Sequence, residues 1–153
     1  MRYILIVVLL LASLNASTLE ITANNFFYKD GDKKAVFSGN VVAKEGQNLI
    51  KSNKIIVYLD EKSEAKEYDA SGNVYFELKS PNRFIKGHCN KIKYYPVEDK
   101  YYLIGNVDIE DVLNKRKVYG SEIVIDNKHN SSYAKSNKKK PVKFIFKVKS
   151  NGK

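Results

Sequence analysis

Tryptophan is absent from this chain, and cysteine, methionine, proline and histidine are scarce: one, one, three and two among 153 residues. A single cysteine, Cys89, excludes an intramolecular disulfide, so the fold must rest on packing. Cys89, His88 and His129 are too few to build a soft metal centre, and no second cysteine joins them. No Gly-x-Ser-x-Gly, metal-ligand or paired-carboxylate pattern is present, and acids such as Asp60, Glu61, Glu64, Asp99 and Asp126 fall in turns beside lysines. We therefore expect no catalytic residues, no metal and no cofactor. Acidic residues are also in deficit, 17 against 27 basic ones, for a formal charge of +10.

Long apolar runs are missing except at the start. Arg2 followed by the unbroken run Ile4 to Leu11, ending in Ala12-Ser13-Leu14-Asn15-Ala16, has the layout of a secretory signal cleaved after Ala16. The run falls short of the ~20 residues that span a bilayer, which argues against a retained anchor. Residues 17–149 are then expected to form one domain and residues 150–153 a disordered tail. Without Arg2 the charge is +9, and an exported chain so charged meets phosphates, sugar acids or membrane surfaces rather than nucleic acid.

What the sequence does have is a repeat. Gly-Asn-Val occurs at Gly39, Gly72 and Gly105, each 33 residues after the last. A unit this short cannot close its own core, so successive units must stack and bury one face along a common axis. Fifteen positions beyond the second and third of these glycines stand Gly87 and Gly120. The first unit is two residues tighter and places Ser52 there.

Side chains alternate along a strand. Phe37 therefore shares a face with Val41, Ala70 with Val74, and Leu103 with Val107. Ile50, Ile85, Val118, Ile55, Ile92, Tyr94, Ile123 and Ile125 extend the same apolar face, while Lys44, Lys51, Lys86, Lys117, Glu77 and Glu110 fall on the other. Each period supplies four short strands, and Leu19 to Lys34 adds a partial opening unit. The expected class is all-β, a twisted β-jelly-roll or stacked antiparallel β-sandwich with open edges. Near the C-terminus Val142, Phe144, Phe146 and Val148 alternate with Lys143, Ile145 and Lys147. They form either a closing strand guarded by lysines or an edge offered to a partner.

The export signal, the opening Leu19 to Asn24, the Phe37-Ser38-Gly39-Asn40-Val41 turn and the repeats after it resemble the LptA/OstA family of periplasmic lipopolysaccharide-transport proteins, over roughly Leu19 to Val148. The resemblance implies a periplasmic β-jelly-roll that binds lipopolysaccharide and associates head to tail with copies of itself. It also implies an N-terminal edge docked on an inner-membrane LptC-like component and a C-terminal edge, Val142 to Val148, docked on an outer-membrane LptD-like one. An acyl chain of about a dozen carbons loses roughly 10 kcal/mol if left in water, at ~0.8 kcal/mol per methylene. A sandwich parting along one side would cover it. Candidates for such a trough are Leu19, Ile21, Phe37, Phe76, Tyr94, Leu103, Ile123 and Ile125, with headgroup phosphates meeting Lys44, Lys51, Lys86 and Lys117. The alternative is an exported basic β-domain that stacks anionic polysaccharide on Tyr58, Tyr75 and Tyr95.

Overall fold

The computed structural model of the chain describes residues 18–137 and 139–149; the expected signal, 1–16, and tail, 150–153, lie outside the described residues. Ten strands follow one another: β1 (Leu19–Thr22), β2 (Asn25–Lys29), β3 (Lys34–Glu45), β4 (Asn48–Leu59), β5 (Ala65–Ser80), β6 (Arg83–Tyr95), β7 (Lys100–Asp111), β8 (Arg116–Asp126), β9 (Ser131–Lys135) and β10 (Lys143–Phe146). All pair antiparallel in sequence order from β3 to β8. β1 and β2 both pair with β3, and β9 and β10 both pair with β8.

The six long strands do not run straight. At each neighbouring pair the register breaks at one level: after Ser38 in β3, Lys51 in β4, Ser71 in β5, His88 in β6 and Ile104 in β7. In β3, β5 and β7 that level is the Gly-Asn pair. Gly39, Gly72 and Gly105 have φ of 81°, 83° and 84°, and Asn40, Asn73 and Asn106 follow at 47°, 48° and 48°. Two successive left-handed residues cannot continue a pleat, and glycine and asparagine are the residues that adopt them at least cost. An asparagine side chain seals each corner, since a Cβ on Gly39, Gly72 or Gly105 would lie within 3 Å of Asn24 in the β1–β2 link, Asn53 of β4 or Asn90 of β6.

The corners divide one continuous sheet into two layers. The first layer holds β1, residues 41–45, 48–52, 74–80, 83–89, 107–111 and 116–120, and β10. The second holds β2, residues 34–38, 54–59, 65–71, 91–95, 100–104 and 122–126, and β9. The four short strands expected of each period are thus present, joined in pairs through the corners rather than separated into two sheets.

The inner rows follow from the register. Ile21, Ala43, Ile50, Phe76, Gly87, Ile109, Val118 and Phe144 cross the first layer. Phe26, Phe37, Ile55, Ala70, Ile92, Leu103, Ile123 and Ala134 cross the second. At the centre Phe76, Val74 and Leu103 are wholly buried. A buried phenylalanine and leucine of this kind each contribute about 1.5–3 kcal/mol by leaving water. Gly87 sits between Phe76 and Ile109, where a Cβ would come within 1.9 Å of the Asp108 carbonyl oxygen.

One alignment expected from the sequence is corrected here. Ser52 pairs with Val41 and Gly120 with Val107, but Val74 pairs with Cys89, so Cys89 and not Gly87 holds the corner of β6. The β5–β6 hairpin is two residues longer per strand in the first layer, which shifts its glycine away from the corner. Cys89 Sγ lies 3.3 Å from the Lys91 carbonyl oxygen, as Ser52 Oγ lies 3.1 Å from that of Lys54. Burial pushes the Cys89 thiol up to about 12.

Candidate functional site

Opposite the corners the tips of the two layers face each other across a seam, and two apolar clefts open there. The first is a narrow slot of about 80 Å³ at the N-terminal end. Leu19, Ile21 and Ile50 line it from one layer and Tyr68, Tyr94 and Tyr101 from the other. The three tyrosines are direct cross-strand partners and form a ladder, with ring centroids 6.1 Å apart for Tyr68 and Tyr94 and 4.3 Å for the stacked Tyr94 and Tyr101. Burial, and after it the Glu45 carboxylate at the slot's lip, pushes the Tyr68 hydroxyl up to about 12. Tyr94 and Tyr101 are raised as well, again first by burial.

The second cleft, about 530 Å³, lies toward the C-terminus. Its floor is Ile85, Ile109, Val118, Ile123 and Ile125, with Val142 and Phe144 at its outer end, and its rim carries Arg83, Asp111, Arg116 and Asp126. Asp111 accepts hydrogen bonds from Arg116 Nη2 at 2.6 Å and Nε at 3.2 Å. Partial burial raises its carboxyl, but the hydrogen bonds from Asn114 and Arg116 outweigh that and leave it below the ordinary value.

Between the clefts a polar chain crosses the seam. Tyr94 Oη and Asn127 Nδ2 both donate to Asp99 Oδ1, at 3.3 and 3.1 Å, and Arg83 Nη1 donates to Asn127 Oδ1 at 3.0 Å. Among the described residues the Arg83–Asn127 bond is the one hydrogen bond that ties the tips of the two layers together.

The residues expected to form a trough separate into three groups. Leu19, Ile21 and Tyr94 line the first cleft and Ile123 and Ile125 the second. Phe76 and Leu103 lie fully buried between, and Phe37 packs its ring 5.0 Å from that of Phe26. Lys44, Lys51, Lys86 and Lys117 stand on the outer face of the first layer, Lys86 4.0 Å from Glu110. Among the described residues no lysine lines either cleft. At the C-terminal edge only Lys143–Phe146 forms a strand, and Phe144, Phe146 and Val148 are exposed. At the other end Phe27 of β2 is exposed in the same manner.

Sequence reasoning missed one feature. Glu67 and Asp69, two residues apart on β5, share the outer face beside Lys93, whose Nζ is 3.8 and 3.9 Å from them. Asp69 is buried, one of its oxygens has no partner among the described residues, and burial followed by the Glu67 carboxyl pushes it up to about 7. The i, i+2 spacing of the two acids was the available signal.

A family model described as LptA/(LptD N-terminal domain) LPS transport protein matches residues 20–131. The chain belongs to this family. Among solved structures it is similar to LptH of Pseudomonas aeruginosa, described as the LptA-homologous periplasmic component of the conserved lipopolysaccharide transport device. The TM-score is 0.75 at 18% identity, over 86% of this chain and 96% of that one. At that identity the likeness establishes the shared fold. The search of curated proteins found no match. For this member of the LptA family the matched segment runs from β1 through the start of β9, so it contains every corner and both layers.

Proposed function

We propose that the protein is exported to the periplasm and carries lipopolysaccharide there, with the acyl chains lying along the inner rows between the two layers. The observation that carries this reading is the pair of apolar clefts opening along one seam, toward the two ends of a single bent sheet. Removing a dozen-carbon chain from water is worth roughly 10 kcal/mol, which is ample for holding a glycolipid out of solvent. The free edges of β1 and β2 at one end, and of β9 and β10 at the other, offer unpaired backbone donors and acceptors for strand addition. They suit an LptC-like inner-membrane partner, an LptD-like outer-membrane partner and further copies of the chain itself.

A photo-crosslinking amino acid placed at Ile21, Tyr94 or Ile123 is expected to label lipopolysaccharide, and one at outward Glu77 is not. Labelling from Glu77 alone would overturn the reading. For the edges, exchanging Phe144 and Phe146 together for lysine is expected to abolish concentration-dependent association while leaving lipid labelling from Ile21 intact.

A further inference from the structure

Beyond the proposed carriage of lipopolysaccharide, on which this inference rests, the distribution of arginine is selective. The sequence has three, Arg2, Arg83 and Arg116; the two that lie in the described residues both line the rim of the second cleft, and no described lysine joins them there. Lysine supplies the positive charge of the outer faces. Arginine differs in offering five N–H donors in a rigid plane that matches the oxygens of a phosphate, and it is more weakly hydrated, so it suits a half-buried rim beside an apolar floor.

The two arginines are not equivalent. Arg116 is committed to Asp111 through two hydrogen bonds. The rim's other carboxylate, Asp126, faces His129 at 2.9 Å and Lys100 at 3.9 Å. Arg83 donates one hydrogen bond to the neutral Asn127 and forms no ion pair with any described residue, so its charge is uncompensated and four of its donors remain. It stands at the first residue of β6, where the seam separates the two clefts.

We propose that Arg83 is the phosphate ligand of the second cleft, taking a phosphorylated acyl glycolipid whose chains lie on Ile85, Ile109, Ile123 and Ile125. A cleft of about 530 Å³ falls within the range of ordinary ligand sites. The apolar floor selects a lipid-borne phosphate over free phosphate. The assignment moves the headgroup contact from the outer-face lysines to the seam, where the acyl chains are.

The test compares binding of the purified protein to bisphosphorylated lipid A and to the same lipid with both phosphates removed. The wild-type protein is expected to prefer the phosphorylated form by tenfold or more, roughly the effect of one charge-assisted hydrogen-bonded pair. Arg83→Gln should abolish that preference, so that the two lipids bind with equal affinity. Arg83→Lys should retain part of it, and Asn127→Ala, which frees the guanidinium without removing its charge, should retain all of it. Equal wild-type binding of the two lipids, or a preference that survives in Arg83→Gln, overturns this inference and leaves lipid carriage standing. Binding of neither lipid overturns both.

Discussion

Replacing Gly72 by alanine tests whether the corners make the architecture. Gly72 has φ +83°, and a Cβ there would lie 2.7 Å from Asn53 Nδ2, 2.8 Å from its Cβ and 3.0 Å from its Cγ. The left-handed backbone alone costs an L-residue roughly 1–2 kcal/mol. Nδ2 can swing away, but Asn53 Cβ cannot without moving its strand, and overpacking of this kind adds about 1–3 kcal/mol. A total of about 2–5 kcal/mol corresponds to a fall in Tm of roughly 8–20 °C for a domain of this size. The assay is thermal and urea unfolding followed by far-UV circular dichroism. Gly31→Ala is the control, because no atom lies within 4 Å of a Cβ there, and it should stay within about 0.5 kcal/mol of wild type. Adding Asn53→Gly to Gly72→Ala should recover the packing part and leave the backbone part, a coupling that a double-mutant cycle reads directly. If Gly72→Ala unfolds where Gly31→Ala does, glycine does not set the bend.

Three further outcomes follow from the geometry. Phe76→Ala leaves a void at the centre of the inner rows and should cost about 3–5 kcal/mol in urea unfolding. Asp69 has a folded-state pKa raised to about 7 from an ordinary 3.8, so the native state holds the extra proton. Its stability contribution is whole below about pH 4 and is lost as pH rises through 7. Asp69→Asn should therefore flatten the decline in stability between about pH 4 and 7, by a few kcal/mol at most; an unchanged slope would rule Asp69 out as its source. Cys89, buried with its thiol pushed up to about 12, should resist iodoacetamide at pH 8 and react only at the rate of unfolding, and rapid labelling of the native protein would contradict its place in the corner.

Much of this was legible in the sequence because the period is written in residues that backbone geometry demands. Gly-Asn recurs every 33 residues where two left-handed residues are needed, and the apolar alternation on either side of it assigns the inner face without error at Phe37, Ala70, Leu103 and Ile123. The corner of β6 was not legible. Serine, cysteine and glycine all satisfy that position, so Gly87, which is required for a close backbone approach, imitated a corner residue two positions away. The placement of the cleft charges was likewise hidden. The 33-residue spacing puts Arg83 and Arg116 at one tip of the first layer, but that they edge a cleft depends on the second layer facing them across the seam, which pattern does not show. The Glu67–Asp69 pair was obscured by Lys93, which contacts both only after β5 and β6 pair.

Because each bend restores the chain to the same cross-section, the 33-residue period works as a ruler. One more copy would insert two rungs in each layer, lengthening the body by about 10 Å at ~4.8 Å per rung while leaving the width of the interior unchanged. Eight rungs per layer give this chain a reach of roughly 34 Å. The distance such a molecule can cover is thus adjustable by duplication or loss of whole units, independently of what it holds.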